Sequence, residues 1–220
     1  MTSDAASPVA RGRSAGQVGG VAPVARLSER NLRANLRLAQ SGPGDDALAA
    51  DAWGHGAEWV ASVLSSLEVD PREVHPATLY GLPGGDGRAR PVLSLHGRVL
   101  GTKPLLRGEG VSYGYTHRAP HDTTVALVTG GYAQGVVRSL GNAADVAIAG
   151  RRHRIVGRVA MDVCVVDVGE ARPAWGTEVV FFGDPDHGHP SLAEWTDATG
   201  WNPGEIVAAV GARAARTVIA

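Results

Sequence analysis

Amine chemistry in this chain depends on a single side chain, because Lys103 is the one lysine among 220 residues, against twenty arginines. A lysine ε-amino group is the usual protein nucleophile for forming a Schiff base with a carbonyl compound. Any lysine-dependent reaction of this chain would therefore have to use Lys103 or an amine from another source.

Other groups of reactive residues carry weaker signals. The run Asp184–His189, D-P-D-H-G-H, offers carboxylate and imidazole ligands, but between two strand-like segments it is also ordinary turn chemistry. We therefore predict no metal site. Gly81–Gly87 is rich in glycine but lacks the G-K-[S/T] sequence of a phosphate-binding loop. No set of serine, histidine and aspartate has the context of a hydrolytic nucleophile.

Composition excludes several classes of protein. A formal charge of -1 offers no electrostatic basis for binding nucleic acid or an anionic membrane. No apolar run approaches the roughly 18 residues of a membrane helix. The single Cys164 excludes an intramolecular disulfide and fits a reducing compartment, so we predict a cytoplasmic location. Residues 1–23 lack an apolar signal-peptide core and are predicted to be a disordered tail.

Helical patterns occupy the front of the chain. Residues 27–40 have an approximate apolar face, and Ser28 is a candidate cap. Ser41–Asp46 is a break rich in glycine, proline and aspartate. A second helix is predicted over residues 56–67, with its apolar side chains on one side.

β patterns dominate from Pro91 onward. Strand-like segments, separated by Gly, Asn, Asp and Pro, cover residues 91–102, 124–133, 145–150, 154–168 and 177–183. A helix over Pro203–Arg213 and a closing strand at Thr217–Ile219 follow. These patterns predict an α+β fold: a mainly antiparallel β domain or small barrel behind a short helical front.

Four motifs follow one another in the second half of the chain. They are LSLHGRVLGTKPLLRGEGVSYG (93–114), GGYAQGVVRSL (130–140), IVGRVAMDVCVVDV (155–168) and NPGEIVAAVGARAAR (202–216). Together they resemble the C-terminal β domain of alanine racemase, a family of pyridoxal-phosphate enzymes. The resemblance implies a small antiparallel barrel over residues 90–220.

The front half resembles the same family only in fragments. VARLSERNLRANLRLA is similar to the family's first helix, LAADAWGHGA to the strand end that carries the cofactor lysine, and HPATLYGL to the segment that closes the family's α/β barrel. Such a barrel typically has about 250 residues. Between the last two of these fragments only Leu67 to His75 remains, so most of the barrel strands are absent. The resemblance implies that residues 24–82 are a remnant of a TIM-type barrel.

The resemblance also assigns a catalytic residue. Racemisation removes the α proton from one face of an amino acid and returns one to the other face, and in this family a lysine serves one face. A tyrosine from the partner subunit's β domain serves the other, and Tyr113 matches it. Because a phenol has an ordinary pKa of about 10, Tyr113 would need a positive neighbour to act as a base. Candidate neighbours are Arg107, Arg138 and Arg158.

Three further positions match substrate-binding residues of the family. Tyr132 matches a tyrosine near the substrate and phosphate, Met161 a residue whose backbone N–H meets the substrate carboxylate, and Asp162 an acid at the entrance. Each also has a structural interpretation: Tyr132 packing a turn, Met161 filling the core and Asp162 ending a ladder.

The cofactor side departs from the family pattern. Ala49 stands at the position of the cofactor lysine, and Trp53 replaces a nearby tyrosine. Val74 falls where an arginine faces the pyridine nitrogen. Pro76-Ala77 replaces a Gly-Ile pair that holds the phosphate, and a proline has no N–H to donate. Gly204 replaces a tyrosine that contacts the phosphate.

These observations predict a degenerate, non-catalytic relative that cannot bind pyridoxal phosphate covalently by itself. It would act as an interaction or half-site module, as a homodimer or as a heterodimer with an intact racemase. Pyridoxal phosphate is the cofactor implied by the resemblance. The alternative function is a working alanine racemase that interconverts L- and D-alanine for cell-wall supply, with Lys103 or an external amine replacing the lost lysine. If the front helices form, we expect them either to fold back onto the β domain or to stay mobile.

Overall fold

A computed structural model describes residues 22–39 and 46–220. Nearly all of the predicted tail and of the predicted break at Ser41–Asp46 lies outside these residues. The helices are α1 (Glu29–Ala39), α2 (Ala49–Trp53), α3 (Ala57–Ser65), α4 (Pro76–Leu79), α5 (Leu192–Thr199) and α6 (Pro203–Arg213). The strands are β1 (Val24–Ser28), β2 (Leu93–Leu105), β3 (Gly110–Val111), β4 (His117–Arg118), β5 (Thr123–Thr129), β6 (Asp145–Ile148), β7 (Arg151–Val156), β8 (Val163–Asp167), β9 (Glu178–Phe182) and β10 (Ala215–Ile219).

Six strands form a closed antiparallel barrel. Their order is β2-β5-β8-β7-β6-β9, and β9 pairs back with β2. β1 joins β2 antiparallel, β10 joins β1 in parallel, and β3 and β4 form a separate hairpin. This arrangement confirms the predicted fold class, a mainly antiparallel β domain built on a small barrel.

The long strand β2 pairs with three other strands. Leu93–His96 pair with β1, Leu95–Arg98 pair with β9, and Val99–Leu105 pair with β5. The register of the β2–β5 pairing shifts between Val99 and Gly101, a bulge that bends the strand. Gly97 permits close packing here, because a Cβ on it would lie 2.4 Å from the Thr129 carbonyl oxygen.

Aromatic side chains pack the core around α5. The indole of Trp195 is fully buried and meets the ring of Phe182 edge-on, with centroids 4.9 Å apart. The sequence prediction missed this helix. Its signal was present as a capping box, in which the Ser191 hydroxyl accepts the Glu194 N–H and the Glu194 carboxylate accepts the Ser191 N–H.

The front helices fold back onto the barrel. Buried leucines and valines of α1 and α3, including Leu32, Leu36, Val60 and Leu64, belong to the same core as the barrel strands. The helix predicted from residue 27 begins at Glu29, because Val24–Ser28 pair with β2 and β10 instead. The predicted cap is confirmed, since the Ser28 hydroxyl oxygen accepts the Asn31 N–H at 3.2 Å.

The strand predicted over residues 154–168 is wrong in one respect. The chain forms two antiparallel strands there, β7 and β8, and residues 157–162 reverse its direction. Gly157 has a φ of +72°, a conformation that glycine adopts without steric cost.

The acidic and histidine-rich run after β9 forms a short 3-10 turn. The Asp184 carboxylate accepts the Asp186 N–H, and the Arg90 guanidinium pairs with both aspartates at 2.9 and 2.6 Å. Within the described ranges, no group of three His, Cys, Asp or Glu residues is arranged to hold a metal ion. No helix in these ranges is long and apolar enough to cross a membrane.

Two buried histidines couple the fold to pH. His55 is fully buried, and its ring stacks on the Tyr80 ring with centroids 4.1 Å apart. Burial lowers the pKa of His55 to about 4. Burial, assisted by the positive charge of Arg26, also lowers the pKa of His96 to about 4.

We expect the free energy of unfolding to fall as pH is lowered from about 6.5 towards 4. The unfolded chain binds protons on these histidines near pH 6.5, whereas the folded protein binds them only near pH 4. Each histidine would contribute a loss on the order of 3 kcal/mol across that window. Urea unfolding at a series of pH values measures the slope. His55→Phe should reduce it, the exposed control His121→Gln should not, and equal slopes in all three proteins would contradict the assignment.

Candidate functional site

Tyr113 projects from the turn that joins β3 to β4. The turn Tyr113–Tyr115 follows β3 directly, and 71% of Tyr113 is exposed. Ser112 before it has a φ of +59°, and its hydroxyl donates to the Arg158 carbonyl oxygen at 2.7 Å. The Arg158 guanidinium lies beside Gly114. A Cβ added to that glycine would be in ordinary van der Waals contact with the guanidinium. The Ser112 hydrogen bond therefore holds the backbone before Tyr113, while the Tyr113 side chain faces solvent.

A second turn places Tyr132 against the residues that precede β8. The Tyr132 N–H donates to the Ala160 carbonyl at 3.0 Å, and the Ala133 N–H donates to the Met161 carbonyl at 2.9 Å. A Cβ on Gly131 would lie 2.2 Å from the Met161 carbonyl oxygen, so this contact requires glycine. The two motifs that carry Tyr132 and Met161 are thus locked together by their backbones.

Met161 and Asp162 lie at the surface of this double turn. Met161 is 54% exposed, so it does not fill the core. The Met161 carbonyl accepts the Ala133 N–H. No hydrogen bond within the described residues uses the Met161 N–H. The Asp162 carboxylate accepts the side-chain amide of Gln134 at 2.9 Å.

A basic groove contains arginines that reach both turns. Its volume is about 520 Å³, and it is lined by Thr116, Arg138, Ser139, Gly141, Asn142 and Arg158. The Arg138 guanidinium sits 5.4 Å from the centre of the Tyr132 ring, and Arg158 reaches Gly114 beside Tyr113. Two of the three arginines considered from sequence thus occupy the site. Arg107 does not line the groove, and its backbone N–H donates to the Asp122 carboxylate.

Sequence reasoning missed the polar residues that line this groove. Thr116 and Asn142 are linked by a hydrogen bond of 3.2 Å, and Asn142 also accepts the Gly157 N–H at 2.7 Å. Asn142 has a φ of +66°, which asparagine tolerates better than most residues. An asparagine beside a glycine is a common turn signal, so its sequence context alone did not mark it as part of a site.

The position matched to the cofactor lysine lies at the start of an unusual turn. Ala49 opens α2, in which Ala50, Asp51 and Ala52 have φ between 50° and 58° and therefore wind left-handed. Each such residue costs roughly 1–2 kcal/mol. The Asp51 carboxylate holds the turn by accepting the Ala57 N–H at 2.8 Å and pairing with Arg216. The Ala57 N–H, ahead of Arg216, lowers the pKa of Asp51.

The turn also docks closely against α6. Gly54 follows α2, and a Cβ on Gly211 would lie 1.9 Å from the Gly54 carbonyl oxygen. A Cβ on Gly54 would likewise overlap the Val207 carbonyl oxygen at 2.6 Å. The two glycines allow the backbones to touch.

The chain does not fit pyridoxal phosphate at the matched positions. Ala49 has no amine, and Trp53 covers Gly204 so closely that a Cβ there would lie 3.0 Å from the indole. Val74 is fully buried and Pro76 is buried at the start of α4, so neither faces a cavity. Lys103 is exposed on β2, opposite Val125 of β5. At Gly204, which matches the family's phosphate-contacting tyrosine, the indole leaves no room for a larger side chain without displacement.

Comparisons with known proteins agree with the motifs. The family model described as "Alanine racemase, C-terminal domain" matches residues 92–218. The alanine racemase of Frankia casuarinae is 41% identical over 147 residues, which are 67% of this chain and 36% of that protein. The alanine racemase of Streptomyces coelicolor is 38% identical over 146 residues, which are 66% of this chain and 37% of that protein. The chain spans little more than a third of the length of these relatives.

Solved structures show the same likeness. Alanine racemase from D-cycloserine-producing Streptomyces lavendulae superposes with a TM-score of 0.62 at 29% identity, covering 78% of this chain and 54% of the other. Alanine racemase from Bartonella henselae, solved with covalently bound pyridoxal phosphate, superposes with a TM-score of 0.55 at 28% identity. That match covers 69% of this chain and 39% of the other.

The contact between Trp53 and Gly204 can be tested by a double-mutant cycle. We expect Gly204→Tyr to lower the free energy of unfolding by about 1–3 kcal/mol, because the new ring must displace the indole. In a Trp53→Ala background the same change should cost clearly less. Gly87→Tyr is the control, since open space surrounds Gly87. Additive effects of Gly204→Tyr and Trp53→Ala, measured by urea unfolding, would show that the indole does not occupy this space.

Proposed function

This chain belongs to the alanine racemase family through that family's C-terminal domain, and we propose that it is a non-catalytic member that lends one half of an active site to a partner subunit. One observation carries the proposal. Tyr113 and Met161 are both exposed, Arg158 and Arg138 beside their two turns line one basic groove, and the position matched to the cofactor lysine is Ala49. The substrate side is thus presented outward, and the amine must come from another chain.

The exposed groups suit a defined part of racemisation. The Tyr113 hydroxyl would give or take the α proton on one face of the amino acid. The Met161 N–H would bind the substrate carboxylate, and the guanidinium groups of Arg138 and Arg158 would attract that negative charge. The partner would supply the lysine, its bound pyridoxal phosphate and the proton transfer on the opposite face.

A heterodimer satisfies these requirements better than a homodimer. Two copies of this chain would bring together two Tyr113 side chains but no lysine at position 49. An intact racemase subunit supplies that lysine, so we propose it as the partner. The proposal places both proteins in one compartment, which we expect to be the cytoplasm.

The alternative, an independent racemase, would require Lys103 to replace the missing amine. Lys103 lies instead at the rim of an apolar depression that also includes Leu100, Leu127 and Val165. It does not line the groove that contains Arg138 and Arg158. The geometry therefore favours the half-site function over the alternative.

Mixing the purified chain with pyridoxal phosphate tests the absence of a cofactor site. We expect no stable Schiff-base absorbance, because the one lysine is exposed and lies outside a pocket for the phosphate. Borohydride reduction followed by peptide mapping should find only partial labelling, at Lys103 or the terminal amine. Lys103→Met should abolish the lysine label without changing the fold. A stoichiometric adduct that needs the folded state would contradict the proposal.

Complementation tests the half-site itself. The partner is Streptomyces coelicolor alanine racemase in which the tyrosine aligned with Tyr113 is changed to phenylalanine. Adding this chain should raise D-alanine formation from L-alanine by at least about 100-fold, the lower range for general acid–base catalysis. Tyr113→Phe in this chain should remove the gain, since both half-sites then lack the hydroxyl.

Lys103→Met is the matched control, because the proposal gives Lys103 no part in the reaction. It should support the same gain as the unmodified chain. Sedimentation at micromolar concentrations reports whether the two proteins associate. Association without any gain, or no association at all, would overturn the half-site function.

A further inference from the structure

We propose that Tyr115 is a positioning residue, which folds its ring back onto the β3–β4 hairpin and thereby holds Tyr113 outward. The inference rests on the proposed function of Tyr113, although its structural part can be tested on this chain alone. Tyr115 lies two residues after Tyr113, in the same short turn.

The ring of Tyr115 lies flat against the hairpin. A Cβ on Gly110 would lie 2.3 Å from the Tyr115 Cδ1 atom, so the ring covers the bare backbone of that glycine. Gly110 is paired with Arg118 across the hairpin, and the Arg118 guanidinium sits 5.6 Å from the centre of the ring. The guanidinium also donates to the Gly108 carbonyl at 2.9 Å. Glycine and arginine together form a seat for the aromatic ring.

The backbone is bent to bring the ring to this seat. Gly114 has a φ of +75° and Tyr115 a φ of +46°, so the chain reverses immediately after Tyr113. A non-glycine residue is strained in this left-handed conformation. Strain of this kind persists where surrounding contacts over-determine the conformation, and the contact with Gly110 and Arg118 supplies such a determinant.

The segments that flank the turn are anchored in other ways. Ser112 bonds to the Arg158 carbonyl, and the Thr116 hydroxyl accepts the Asn142 side chain at 3.2 Å. Between these two anchors, Tyr115 is the residue whose side chain packs back onto the hairpin. Removing its ring would free the turn to rotate and would let Tyr113 leave its outward orientation.

The role requires the ring and not the hydroxyl. No hydrogen bond within the described residues uses the Tyr115 hydroxyl, whereas its ring makes the contacts with Gly110 and Arg118. Tyr115→Phe should therefore preserve the position of Tyr113, and Tyr115→Ala should not. Gly110→Ala offers an independent route, because its Cβ would push the intact Tyr115 ring off its seat.

Fluorine NMR of the chain labelled with 3-fluorotyrosine tests the structural part. The Tyr113 resonance is assigned as the one lost in Tyr113→Phe. We expect it to shift towards the value of an unstructured tyrosine in both Tyr115→Ala and Gly110→Ala, and to stay in place in Tyr115→Phe. Circular dichroism checks that each variant is folded. An unshifted Tyr113 resonance in folded Tyr115→Ala or Gly110→Ala would overturn the proposal.

The complementation assay tests the functional consequence. Tyr115→Ala should lower the turnover gained with the partner subunit by about 10- to 100-fold, the size expected when a reacting group is misplaced by about 1 Å. KM and the affinity for the partner should stay within about twofold, and Tyr115→Phe should restore turnover. Equal losses in Tyr115→Ala and Tyr115→Phe would contradict positioning by the ring. If the unmodified chain gives no gain, the proposed function fails, while the NMR result still decides the role of Tyr115.

Discussion

Closure of the barrel through β2 is the constraint on which the rest of this structure depends. One strand must hydrogen-bond to β1 and β9 near its start and to β5 near its end. Buried backbone groups need partners, so the wall is complete only if β2 bends enough to reach all three. The bulge before Gly101 supplies the bend, and Gly97 allows the close approach to Thr129. β1 and β10 then extend this wall, and β10 brings Arg216 to the left-handed turn.

The two groups of positions that match the family's site are held by different contacts. Tyr132 and Met161 are fixed by backbone bonds between two turns of the barrel, and Gly131 makes their close approach possible. Nothing in that arrangement depends on the front of the chain. The positions matched to the cofactor side lie on α2, α4 and α6. There the Trp53 indole packs directly over Gly204.

Strain at α2 remains although its residues match no working amine site. The left-handed residues Ala50, Asp51 and Ala52 are held by the Asp51–Arg216 pair and by the contact of Gly54 with Gly211. These contacts join segments about 160 residues apart along the chain. The conformation is stabilised by packing of the turn on β10 and α6.

The sequence by itself determined the features that arise from interactions between residues close together in the chain. Alternating apolar residues indicated the barrel strands, and the helix predicted over Pro203–Arg213 matches the observed bounds of α6. The motifs marked Tyr113, Tyr132 and Met161 as candidates, and the matched lysine position is Ala49. Hydrophobic alternation and capping act over a few residues, so a single sequence displays them.

Only the tertiary structure decided which distant residues meet. It placed Leu27 and Ser28, the predicted start of a helix, at the end of strand β1, because pairing with β2 and β10 outweighs local helix propensity. It brought Arg138 and Arg158 into one groove, and it laid the Trp53 indole over Gly204. Each of these outcomes depends on contacts between segments far apart in sequence, which barrel closure creates and which no local pattern encodes.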